Sequence, residues 1–271
     1  MRTEVAPERV AQFQKEGFIV IEGFLSSEEL QTWRDVTEEA VQQRLASGDG
    51  LHNLDADDFY KNVFTQCLRL VDSHAGMKKL LTDPRLGRLA ATLSGVDGVR
   101  LWHDQALFKQ PYGNQTAWHR DVPYWAFHSR KSVSMWFALD DATVANGCLW
   151  YLPGTHLLGN YELTRIGSNM LDQFHAYPEW LEIEAVPAPC PAGSVVIHNA
   201  MIAHGASANM TPGVRRAMTS VYYPDGELYN GTPDTLPEVY YQNLKPGDRL
   251  DDDRYVPLIW HRDQDKGVPM A

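Results

Sequence analysis

The chain has 271 residues, with 24 Lys+Arg against 35 Asp+Glu, a formal charge of −11. That length falls short of two domains of about 150 residues each, and 44% apolar with 22% charged residues exclude a disordered or fibrous chain. The acidic balance argues against nucleic acid and against an anionic lipid surface as partners, which leaves a small molecule. From the N-terminus, Met1 to Val10 is charged and has no apolar run, so no secretory signal is expected there. Glu8 to Glu16 carries Val10 and Phe13 at helical spacing, Gly17 stops it, and Phe18 to Ile21 follows as a short apolar run. Ser26-Ser27-Glu28-Glu29 has the form of a helix start, with Ser to cap backbone amides and acids at the positive end of the dipole. That helix is expected to run to about Leu45. A second helical stretch, Met77 to Leu93, is interrupted at Asp83-Pro84, where a break or a fresh start is expected.

From about Val99 the texture changes to short β-rich runs: Leu101–Lys109, Ser132–Leu139, Cys148–Leu152, Ser194–His198 and Ala217–Tyr223. Turn residues separate them, Asn146-Gly147 most clearly. Many short strands without interleaved helices predict a closed barrel or a two-sheet jelly roll. Residues 1–98 then read as helical support, 99–224 as the β core, and 225–271 as a covering segment with Trp260 as its main apolar anchor. The three cysteines, Cys67, Cys148 and Cys190, contain no CxxC pair and read as buried, reduced thiols in a cytoplasmic protein. No apolar run approaches a membrane span of about 18 residues.

His119-Arg120-Asp121 places an imidazole and a carboxylate two residues apart, pointing the same way if the chain is extended. Alone this pair is weak. A third ligand is available where Ser194–His198 leads to a turn carrying His204-Gly205. Two imidazoles and one carboxylate leave open positions on a metal, the arrangement suited to ferrous iron activating oxygen. His198 competes for the third place, with structural service its other role; Gly205 and the spacing to Arg215 favour His204. Arg215 opens an apolar strand, where its fork would hold a carboxylate, either a ligand's or one of the protein's own. Arg216 should face solvent or a surface ion pair. His128, His156, His175 and His261 read as surface or packing residues, and His103 as packing unless its strand faces a pocket.

The strings Trp118-His119-Arg120-Asp121, Met135 to Asp141, Asn146 to His156 and His204 to Asn209, with Arg215, together resemble the phytanoyl-CoA dioxygenase family. The similarity runs in order from Gly17-Phe18 to about Tyr223. The resemblance implies a single domain, mainly β with flanking helices, built on a double-stranded β-helix (a cupin-like jelly roll). It implies an Fe(II)- and 2-oxoglutarate-dependent dioxygenase that consumes O2 and hydroxylates a small organic substrate. His119, Asp121 and His204 look like the iron ligands, and Arg215 is similar in place to the arginine holding the distal carboxylate of 2-oxoglutarate. Gln66, Trp136 and Gln105 resemble cosubstrate-pocket positions. Ala206 departs from the pattern, since several members carry Ser there, and its hydroxyl contact is lost. The related halogenases lack the carboxylate ligand; Asp121 therefore points to oxygenation.

Tyr124 and Trp125, directly after the ligand pair, and His103 are the candidate substrate wall. No basic cluster suited to a CoA substrate is evident. The competing functions are a zinc or other cupin-like metalloenzyme on the same ligands, and a catalytically silent binding protein.

Overall fold

Helix α1 (Pro7–Glu16) begins with Pro in its first turn, where the missing N–H costs nothing, and ends at Gly17. Gly17 takes φ 88°, and its N–H closes on the Phe13 carbonyl, turning the chain into β1 (Phe18–Ile21). The computed structural model describes residues 1–48, 59, 62–164 and 166–265. A complete capping box between Ser26 and Glu29 opens α2 (Ser27–Ser47). Strand β2 (Thr65–Leu68) leads to α3 (Leu70–Ser73), α4 (Ala75–Leu81) and α5 (Pro84–Ser94). Asp83-Pro84 proves a fresh start, because the Asp83 side chain accepts from the Arg85 amide and Pro84 occupies the first turn of α5.

The β region contains β3 (Gly98–Lys109), β4 (Thr116–His119), β5 (Val133–Ala138) and β6 (Leu149–Tyr151). After α6 (Asp172–Ala176) come β7 (Val186–Ala188), β8 (Val195–Asn199), β9 (His204–Ala206) and β10 (Arg215–Pro224). The tail adds α7 (Glu238–Tyr241) and β11 (Leu258–His261). The larger sheet runs β1-β8-β5-β10-β3-β11, with β2 also on β3; the smaller runs β4-β9-β6-β7, and every pairing is antiparallel. These are the two sheets of a jelly roll.

Strand periodicity sorts the core into layers. Trp136, Val196 and Ala217 pack between the sheets with Leu149 and Tyr151 of the smaller one. Their neighbours Met135, Phe137, Ile197 and Met218 point outward under Trp33, Val41, Leu81 and Leu89 of the helices. Both faces of β5 are thus buried, which is why its sequence is apolar throughout except for Ser134 rather than an alternation. The covering segment is pinned by Tyr229, Leu236, Tyr240, Leu250 and Val256 against Trp102, Phe127 and Tyr223. Trp260, expected to be its main anchor, is only partly buried; the burial falls to residues spread through the preceding loops. All three cysteines are buried, and none forms a disulfide among the described residues. Among the described residues no helix is long and apolar enough to cross a membrane.

Candidate metal centre and its cavity

Strands β4 and β9 pair so that His119 lies directly opposite His204. Gly205 permits the approach: a Cβ there would stand 2.8 Å from the Thr116 carbonyl. His119 and His204 each direct Nδ1 to a backbone carbonyl two residues earlier, Ala117 at 2.8 Å and Ile202 at 3.1 Å. A carbonyl accepts only a donated proton, so each ring keeps its Nε2 lone pair free, and both Nε2 atoms face Asp121 Oδ1, at 3.6 and 3.7 Å. One ligand atom from each of the three residues lies within 4.8 Å of the others.

Asp121 reaches this position differently from the extended-chain expectation. Strand β4 ends at His119, and Asp121 has helical backbone angles (φ −75°, ψ −50°) at the head of a short 3-10 turn. Arg120 meanwhile turns away to the Asn160 and Glu162 carbonyls and the Tyr177 hydroxyl. The two carboxylate oxygens of Asp121 divide the work. Oδ1 faces the imidazoles, while Oδ2 accepts from Ser134 at 3.0 Å and lies 3.4 Å from His198 Nε2. His198 Nδ1 is in turn 2.9 Å from the Tyr151 hydroxyl. His198 thus braces the carboxylate rather than joining the triad. Burial would raise the Asp121 carboxyl, but His204, His119 and His198 together hold it well below the usual carboxylate range. Burial, aided by His119, holds His204 well below the ordinary imidazole value, so it is neutral. An ionised carboxylate and an unprotonated imidazole are the states a metal requires.

The triad opens on a cavity of about 190 Å³ between the sheets. The period-two faces of the strands supply its walls: His103, Gln105 and Leu107 from β3, Ser134 and Trp136 from β5, Arg215 and Thr219 from β10. Arg215 is 1% exposed and its guanidinium lies 4.9 Å from the Trp136 ring. Its Nε and Nη1 have no hydrogen-bond partner, and among the described residues no carboxylate pairs with it. Burial lowers it to about 10, so it remains charged at neutral pH. A buried cation with unused donors, stacked on an aromatic wall, fits a carboxylate-bearing ligand. Arg216, on the opposite face, is paired with Asp140 at 2.8 Å.

Gln66 donates to Gln105 at 2.6 Å, and both line the cavity. Tyr124, Trp125 and His103 line it as well, so all ten residues singled out from the sequence border one space. His103 is a cavity residue rather than a packing one: its ring stands edge-on to Trp125 at 5.8 Å and its Nδ1 has no partner. Burial holds it down to about 3, hence neutral. Sequence reasoning missed Thr116, Thr219, Asp234 and Thr235. Thr116 is the Cα partner of Ala206, and its buried hydroxyl is unpartnered, which puts an alcohol beside the position where Ala206 removed one. Only the strand register reveals that substitution. Asp234 and Thr235 come from the covering segment, more than a hundred residues from the ligand pair, and no local motif marks them.

The sequence model of the family described as phytanoyl-CoA dioxygenase (PhyH) matches residues 13–217. A 2-aminoethylphosphonate dioxygenase from an uncultured bacterium is 26% identical over 217 residues, covering 79% of this chain and 80% of that protein. Among solved structures, the non-heme alpha ketoglutarate dependent carbocyclase SnoK from nogalamycin biosynthesis superposes with a TM-score of 0.80 at 24% identity. The match covers 95% of this chain and 97% of that one, a likeness of fold. The epimerase SnoN, solved in complex with Fe3+, alpha ketoglutarate and nogalamycin RO, gives a TM-score of 0.76 at 27% identity, covering 93% and 98%.

Proposed function

The chain belongs to the phytanoyl-CoA dioxygenase family of non-haem iron, 2-oxoglutarate-dependent oxygenases, and from that membership we propose that it hydroxylates an unactivated C–H bond of a small organic metabolite. His119, Asp121 and His204 hold the iron. Bound Fe(II), with 2-oxoglutarate and O2, supplies the oxidising power for C–H cleavage, and succinate and CO2 are released. The protein's share is placement. Arg215 takes the distal carboxylate of 2-oxoglutarate, with the Thr116 hydroxyl as a second donor and Trp136 as the flat wall against which the cosubstrate lies. Gln66 and Gln105 form the polar side of the same compartment. The backbone carbonyls of Ala117 and Ile202 fix the ring orientation of both imidazoles, and Ser134 and His198 fix the carboxylate. Tyr124, Trp125 and His103 wall the space left for the substrate. The helical N-terminal part, the β core and the covering segment work as one domain, and a cytoplasmic setting accords with three buried cysteines outside any disulfide among the described residues.

One observation carries this reading: the triad, with its ligand atoms inside 4.8 Å, shares a cavity with a buried arginine that has no anionic partner among the described residues. Anaerobic addition of Fe(II) and 2-oxoglutarate is expected to give a weak visible charge-transfer band that His204→Ala abolishes. A panel of small metabolites should then contain one that stimulates succinate release and gains one oxygen. A folded protein that shows no band and binds zinc in preference would overturn the assignment. A product of unchanged mass or two hydrogens fewer would replace hydroxylation by epimerisation or desaturation.

A further inference from the structure

We propose that the substrate is a small amine, and that Asp234, donated by the covering segment, receives its protonated nitrogen. This rests on the oxygenase reading above and goes beyond it by naming the substrate's charge.

With Arg215 committed to 2-oxoglutarate and Asp121 to iron, the formal charge left on the cavity wall among the described residues is Asp234. Its surroundings are aromatic and neutral. Trp102 Nε1–H donates to Asp234 Oδ2 at 3.3 Å, the Thr235 hydroxyl lies 3.5 Å from the same oxygen, and Trp125 and Tyr124 complete this side. No described cation is within ion-pair reach of Asp234. Arg69, whose field extends to it, is already tied to Asp72 at 2.5 Å and to the Tyr255 carbonyl at 3.1 Å.

Asp234 is exposed and opens on the cavity mouth, and the protein on its inner side pushes its carboxyl up to about 6. At neutral pH it is therefore chiefly ionised. An ammonium in the cavity would meet this carboxylate through a charge-assisted hydrogen bond. His103, neutral and with Nδ1 unpartnered, offers a further polar contact on this side. A phosphonate, phosphate or acyl-CoA would set its negative charge against Asp234 in a site that offers it no described counter-charge.

Asp234 has φ 49°, a left-handed conformation that Asn and Gly adopt readily, so Asp234→Asn and Asp234→Gly are expected to fold. The test is anaerobic calorimetry on protein loaded with Fe(II) and 2-oxoglutarate, using benzylamine, benzyl alcohol and benzylphosphonate as matched probes. Benzylamine should bind about tenfold tighter than the other two. Both variants should bring it to the level of the alcohol, while 2-oxoglutarate affinity and the unfolding temperature stay at wild-type values. The proposal is overturned if the phosphonate binds best, if the amine preference survives in the variants, or if the loaded protein takes none of the probes. Protein that accepts no 2-oxoglutarate would overturn the oxygenase reading and this one with it; normal loading without amine preference removes this one alone.

Discussion

Two arginines, Arg120 just after β4 and Arg215 at the start of β10, are each 1% exposed, and their surroundings differ in kind. Arg120 sits in a closed nest, donating to the Asn160 and Glu162 carbonyls and to the Tyr177 hydroxyl, with its guanidinium 4.5 Å from the Tyr177 ring. Arg215 lies over Trp136 and Phe64 with two nitrogens unused. Burial alone does not separate structure from function; the balance of donors and acceptors does. In the nest both terminal nitrogens of Arg120 are satisfied and only Nε is left over, whereas Arg215 keeps Nε and Nη1 for an anion in its compartment. Lys109, beside Arg215 on β3, shows a third solution. Its Nζ donates to the Asn114 carbonyl at 2.7 Å, and burial, reinforced by the Arg215 charge, pulls it down to about 6, so at neutral pH it is chiefly the neutral amine.

Three substitutions test this contrast. Arg215→Met should weaken 2-oxoglutarate binding roughly 100-fold, the scale of a removed partner in a buried charge pair, while leaving thermal stability equal or higher. Calorimetry and a melting curve read the two effects separately, and a loss of stability would place Arg215 in the scaffold. Arg120→Met should do the converse: about 3 kcal/mol less stable in denaturant, from stranded carbonyls and the Tyr177 hydroxyl, with 2-oxoglutarate affinity retained by the folded fraction. An unchanged denaturation midpoint would break the comparison.

Lys109→Met gives the smallest effect and the finest test. Between about pH 6 and 10.5 the unfolded chain holds a proton here that the folded protein lacks, so this residue makes stability rise with pH across that window. The substitution should flatten that rise in a pH series of melting temperatures. Identical slopes in the two proteins would show that Lys109 stays charged in its nest.

Much of this architecture is legible before any coordinates. The Ser26 cap, the stop at Gly17 and the restart at Pro84 depend on neighbouring residues alone, so local chemistry announces them. Strands β3, β5, β8 and β10 of the larger sheet have five residues or more and stand out, whereas its four-residue β2 and β11 do not. Strands β4, β7 and β9, three or four residues each, are too short to display a period, and Pro187 in β7 reads as a loop signal although an edge strand tolerates it. The triad and Arg215 were readable because each residue type has a chemical reason to be where it is. The reason given for Asp121 was incorrect in its geometry, since the chain has left the strand by then. Thr116 was hidden because its meaning depends on which residue lies across the ladder, and Asp234 because a turn in the tail becomes a wall only when Tyr240, Leu250 and Val256 pin that tail down.

The direct pairing of His119 with His204 ties reactivity to strand alignment. Side chains alternate faces along a strand, so sliding β9 by a single residue against β4 would carry one imidazole to the far side. No intermediate alignment keeps half a centre. Misassembled molecules would consequently be inert rather than sluggish, sparing the cell a loosely held oxidant.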